Sequence, residues 1–333
     1  MNQLLKIEDL HTYFYVRKGV SKIVNGLNLS VRKGELLGVV GESGSGKTVA
    51  AMSIVDRVRT PGKVVSGKVI YQGTDLRGLN ESELRKFRGK EIGLIAANAR
   101  GNLNPLIKVG DQIADVYLAH NKGDLREAKQ RAIEMLRAVG INGAEQRANA
   151  YPHELSGGMA QRVMIALALI NSPNLLIADD ATNGLDVTVQ AQIMDLILDI
   201  VEKRKASGIF ITHDLGVVAQ CCDEIAIMYA GQIVEKGPVT TFFEEPQHPY
   251  SQNLLNSLPE RRGKEKKILL SGGLPNPLEL PSGCLFHPRC PYATEKCRQE
   301  EPSLVKVSEN YSVKCHLFEG ITEEGGIVDE KLA

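Results

Sequence analysis

The sequence lacks any surplus of charge: 40 Lys+Arg balance 40 Asp+Glu, so the formal net charge of the 333 residues is zero. A nucleic-acid binder shows itself through a basic excess or a basic stripe, and none is present, so no nucleic-acid partner is expected. The first residues, "MNQLLKIEDLHTYF", have no basic stretch followed by an apolar one, and no signal peptide is expected. Long hydrophobic runs are also missing. The longest uncharged stretch, Val163 to Ala178, is broken by Asn171, Ser172, Pro173 and Asn174 and is too short to cross a bilayer. There is no internal repeat and no sustained heptad pattern, which excludes solenoids and long coiled coils. The chain is therefore expected to be soluble and intracellular, long enough for one large domain or two ordinary ones, and free to lie against a membrane protein.

What is present alternates between two periods. "LLKIEDLHTYFYV", "VNGLNLSV" and "GELLGVV" read as strands, the last an apolar run ending in glycines. A helical pattern begins after Thr48. Ala128, Ala132, Met135, Leu136 and Val139 form one stripe, and Val189, Ile193, Leu196, Ile197, Ile200 and Val201 form another. "GIFITHD" is again strand-like. Strands separated by helices predict an α/β fold with a mostly parallel sheet. Ten of the fourteen prolines lie between Pro238 and Pro302, so residues 238–318 should be a loop-rich appendage and 319–333 a frayed acidic tail.

"GESGSGKT", Gly41 to Thr48, follows a strand and precedes a helix, the setting in which such a loop cradles phosphates on its backbone amides. Gly41, Ser43, Gly44, Ser45 and Gly46 would form the cradle. Lys47 would reach the β- and γ-phosphates, and Thr48 would hold Mg²⁺. "LLIADD" ends a second apolar strand on two carboxylates. Asp179 reads as the acid linked to Mg²⁺, and Asp180 stands where a general base would act.

"ELSGGMAQR", Glu154 to Arg162, resembles the signature of ATP-binding cassette (ABC) proteins. The order of phosphate loop, signature, acidic strand, "NGLD" and "ITHD" is similar to the ABC ATPase domain over residues 4–237. The resemblance implies a RecA-like core with a helical subdomain over about 98–165. It implies that Ser156, Gly157, Gly158 and Met159 grip the ATP of another subunit, and that His213 contacts the γ-phosphate. It also implies an aromatic residue stacking on adenine, Phe14 first by spacing, with Tyr15 next to it. "NLNP", "YPHELSGGM", "QHPYSQNLL" and "GCLFHPRCPYATEKC" narrow the resemblance to ATP-binding subunits of oligopeptide/dipeptide importers. That family implies ATP and Mg²⁺ as cofactors and a second, different ATP-binding subunit. It further implies two membrane permeases, an extracellular solute-binding protein, and a peripheral position on the cytoplasmic face of the cell membrane. Oligosaccharides or metal chelates are the alternative cargo, and a non-catalytic redox-sensing subunit is the alternative role.

The chain departs from the pattern in three places. Ala97 stands where a glutamine normally touches Mg²⁺ and water. Asp180 replaces the usual Glu, withdrawing the carboxylate by about 1 Å, a misplacement that can cost about a hundredfold in rate. Ala181 stands where proline is usual, followed by Asn183 at a normally small position. The expectation is a slow own site beside an intact signature.

Cys221 and Cys222 read as inert core thiols. Cys284, Cys290, Cys297 and Cys315 form a C-x5-C-x6-C-x17-C set in a segment with little core of its own. Four thiolates suit iron–sulfur or zinc, and the set lacks the tight pairs that zinc favours. With the resemblance also pointing to iron–sulfur, a 4Fe–4S cluster is expected, zinc being the alternative.

Overall fold

A computed structural model describes residues 3–182, 185–257 and 272–319. Asn183, Gly184 and all but the first residue of the expected acidic tail lie outside the described residues. The strands in chain order are β1 Gln3–Val16, β2 Gly19–Arg32, β3 Leu36–Val40, β4 Gly62–Tyr71, β5 Thr74–Asp75, β6 Ile92–Ile95, β7 Leu175–Asp179, β8 Ser207–Thr212, β9 Glu224–Tyr229, β10 Gln232–Pro238, β11 Val305–Ser308 and β12 Tyr311–Val313. The chain divides into two compact units. One takes the residues up to 32, then 36–77 and 212 onward; the other takes 33–35 and 78–211. Among the described residues no helix is long and apolar enough to cross a membrane.

In the first unit β1 pairs antiparallel with β2 and with β4, giving the order β2-β1-β4-β5. Leu5, Ile7 and Leu10 of β1 and Val24, Leu27 and Val31 of β2 are buried. The same unit holds β3 parallel to β9, then β10, β12 and β11 in antiparallel succession. The β11–β12 hairpin adds two short strands to the appendage expected to be loop-rich. Its residues carry no long apolar alternation, and they become strands because β10 offers them a ladder.

Glu235 on β10 is fully buried. Its carboxylate accepts from the Tyr311 hydroxyl at 2.5 Å and from the backbone N–H groups of Gln247 at 2.6 Å and His248 at 3.0 Å. Desolvation raises its pKa despite those donors. This side chain ties the segment that follows β10 to the sheet, in addition to the β10–β12 ladder. Beside it, Tyr229, Tyr250 and Phe286 pack edge-on or tilted, with ring centroids 4.7 to 5.7 Å apart, as their quadrupoles prefer.

His248 is buried, and burial lowers its pKa from 6.5 to about 3. Its Nδ1 accepts from the Tyr250 N–H at 3.0 Å, which requires the neutral ring. Between the two pKa values the unfolded chain binds a proton that the folded chain excludes, so stability falls as pH falls through that window. We expect His248 to make the protein less stable at about pH 5 than at pH 8, by about 2 kcal/mol. Denaturant titrations of wild type and His248→Asn, in which that loss disappears, check this.

In the second unit β6, β7 and β8 run parallel. The helix Leu125–Ala138 starts where the Asp124 side chain accepts from the Glu127 N–H at 2.7 Å. It buries Ala128, Ala132, Met135 and Leu136, the stripe the periodicity marks. The helix Val187–Arg204, capped by Asp186, buries Ile193, Ile197 and Val201. Met194 is buried there as well, while Leu196 and Ile200 are only half-buried.

Candidate functional site

The phosphate loop leaves β3 at Val40 and enters the helix Lys47–Ile54. Gly46 caps that helix with φ +105°, in the left-handed region that favours glycine. A Cβ on Gly41 would fall 2.2 Å from the Met228 carbonyl oxygen, and one on Gly46 2.7 Å from that of Ile23. The loop is therefore pressed onto two strands, and only glycine allows it. Ser45 is buried within the loop, whereas Ser43, Gly44 and Thr48 are exposed. Lys47 is 7% exposed, its ammonium donating to the carbonyls of Gly41 at 2.7 Å and Glu42 at 2.9 Å. An anion at the mouth of the loop meets a cation already held in place. The donor set, with a hydroxyl on the first helical turn, fits a nucleotide phosphate chain with Mg²⁺.

The ring of Phe14 lies on β4: a Cβ at Gly62 would sit 2.6 Å from its Cζ. Tyr15 is 51% exposed. The Tyr13 hydroxyl donates to Asn25 Oδ1 at 2.9 Å. His213, at the end of β8, is exposed and is not a core histidine.

In the second unit Asp179 ends β7 fully buried. Asp180 follows with φ +45°, its N–H donating to the Ile211 carbonyl at 2.8 Å. Short polar side chains tolerate this left-handed conformation better than others do, a local reason for Asp here that the sequence pattern did not show. Ala97, two residues beyond β6, is half-buried and offers no side-chain ligand. Ser156 caps the helix Gly157–Leu169, its Oγ accepting from the Met159 N–H at 3.3 Å. Ser156 and Gly157 are exposed, Gly158 and Met159 half-buried. The arrangement presents a 13-residue helix N-terminus outward, suited to an anion.

The four C-terminal cysteines converge. Cys284, Cys290, Cys297 and Cys315 line one cavity of about 10 Å³, with His248 and His287 also at its wall. Burial raises the thiol pKa of Cys284, of Cys290 to about 11 and of Cys315 to about 12, with neighbouring thiols adding to the effect. Among the described residues, however, no three or more His, Cys, Asp or Glu are placed to share one metal ion. This placement does not support the expected 4Fe–4S cluster, nor zinc in its stead. Four thiols lining one cavity are the donor type that an iron–sulfur cluster or zinc takes once deprotonated. Cys222 precedes Cys284 by 62 residues, and burial raises its thiol pKa.

Residues 24–183 match the model of the family described as ABC transporter, and residues 234–297 that of the oligopeptide/dipeptide transporter C-terminal region. The chain is 43% identical over 327 residues to the oligopeptide transport ATP-binding protein AppD of Bacillus subtilis, covering 98% of this chain and 99% of the relative. It is 43% identical over 314 residues to the dipeptide transport ATP-binding protein DppD of Escherichia coli, covering 94% and 96%. A solved dimeric ATP-binding cassette in a post-hydrolysis state, bound to ADP and phosphate, matches at TM-score 0.64 and 27% identity, over 71% of this chain and 99% of that one.

Proposed function

We propose, for a chain that belongs to the ABC transporter family and is a transport ATPase of its oligopeptide/dipeptide branch, that it energises the uptake of peptides through membrane permeases fed by a solute-binding protein. The observation that carries this is the likeness to peptide-transport ATP-binding proteins over nearly the whole length, C-terminal region included. The chain sits peripherally on the cytoplasmic face of the membrane. Its parts are the ATPase domain over 1–237 with the helical segment of about 98–165, and the extension over 238–318. Deleting the gene is expected to abolish ATP-dependent uptake of a labelled dipeptide by intact cells, with uptake restored by the wild-type copy. Undiminished dipeptide uptake, together with lost uptake of an oligosaccharide or a metal chelate, would overturn the peptide reading.

ATP with Mg²⁺ supplies the phosphoanhydride bond whose hydrolysis drives transport. Gly41 to Gly46 bind the phosphates, Lys47 neutralises them, and Thr48 and Asp179 hold the cation. Tyr15, with its exposed ring, is the better stacking partner for adenine, Phe14 being packed on β4. His213 contacts the γ-phosphate. Asp180, one methylene short and with Ala97 unable to help orient water, is a weak base, so the own site turns over slowly. Ser156 to Met159 complete the site of a second, different ATP-binding subunit; their exposure at a helix N-terminus supports this.

A 4Fe–4S cluster at Cys284, Cys290, Cys297 and Cys315 belongs to the same reading, supported by the convergence of all four on one cavity. Protein purified without oxygen is expected to carry stoichiometric iron and sulfide, lost in Cys290→Ser. Stoichiometric zinc instead overturns the assignment.

A further inference from the structure

Glu42, inside the phosphate loop, is held by the C-terminal segment on two sides. Its carboxylate accepts two bonds from the Arg289 guanidinium, at 3.3 and 3.1 Å. Its N–H donates to the Tyr250 hydroxyl at 2.9 Å. Its carbonyl accepts from Lys47, the residue that meets the phosphates, at 2.9 Å. Arg289 directly precedes Cys290, its side chain is 9% exposed, and its guanidinium lies 5.7 Å from the centre of the Tyr229 ring. A bidentate guanidinium–carboxylate pair fixes orientation as well as charge. Tyr250 is locked in turn by the buried His248 and by the rings of Tyr229 and Phe286. Phe286 lies between Cys284 and Cys290 in sequence and is 2% exposed.

We propose that Arg289 and Tyr250 are positioning residues of the nucleotide site, through which the cysteine-bearing segment holds the phosphate loop in its ATP-binding form. Neither residue touches ATP. Both act through Glu42, and Glu42 acts on Lys47. Because binding couplings are reciprocal, ATP in turn holds the segment carrying Cys290 in place.

ATP affinity of the full chain, measured by calorimetry, tests this. Arg289→Gln and Glu42→Gln are each expected to weaken binding about tenfold, within the usual range of site-to-site coupling. The double variant should be no weaker than either single one, since each removes the same pair. Tyr250→Phe removes one acceptor and keeps the ring, and should weaken binding without loss of thermal stability. The second readout is the rate of amide hydrogen exchange over residues 284–290 in the full chain with its cysteines intact. ATP is expected to slow it in the wild-type chain but not in Arg289→Gln. Unchanged ATP affinity in both single variants, or ATP protection that persists in Arg289→Gln, overturns the proposal while leaving the ATPase assignment standing. A wild-type chain that binds no ATP would sink that assignment instead.

Discussion

Ser156→Ala in this chain is expected to lower ATP hydrolysis by the assembled transporter about a hundredfold, while Asp180→Asn lowers it no more than about threefold. The asymmetry follows from where the two side chains act. On the proposed reading, Ser156 and the glycines after it present a helix N-terminus to phosphate held by another subunit, and their loss removes charge stabilisation from that subunit's site. On the same reading Asp180 serves only its own site. A base has to reach the attacking water, and this one is short, has no glutamine beside it at Ala97, and leaves its strand in a left-handed turn. Removing a weak base changes little. Steady-state phosphate release from the reconstituted complex decides the matter: if Asp180→Asn is the more damaging variant, Asp180 is a working base and the two sites are equal.

Lys47→Ala is expected to weaken ATP binding by at least about a hundredfold, since on the proposed reading it removes a charge-assisted contact to two phosphates. Lys47 also bonds two loop carbonyls, so thermal unfolding should be followed in parallel. A variant that melts like wild type yet binds ATP as well would contradict the assignment of the loop.

The phosphate loop was legible because its glycines, lysine and hydroxyl lie within eight residues between a strand and a helix. The helical stripes were legible for the same local reason, and Ala132 and Leu136 are buried as their spacing demands. What escaped was made by contacts between distant parts of the chain. Nothing near Glu42 announces Arg289, 247 residues away. Nothing in "VKVS" and "YSV" announces strands until β10 supplies the ladder. Nothing next to Phe14 in sequence announces Gly62, whose missing Cβ gives the Phe14 ring a seat. The four cysteines were visible as a set, but how much room their sulfurs leave between them depends on packing.

The β11–β12 hairpin bears on how the ATPase part can be isolated. A chain cut after Gly237, at the shift in composition, would leave β10 as an outer strand. Ile233 and Val234 are buried there, and Glu235 would lose its Tyr311 and backbone donors. Exposed apolar strand edges recruit other chains. β11, by contrast, is four residues long and places Lys306 and Ser308 in solvent, features that discourage such pairing. The appendage thus acts as a selvedge to the sheet: trimmed fragments are expected to precipitate or to pair edge to edge, and a soluble, monodisperse ATPase fragment requires the hairpin to be kept.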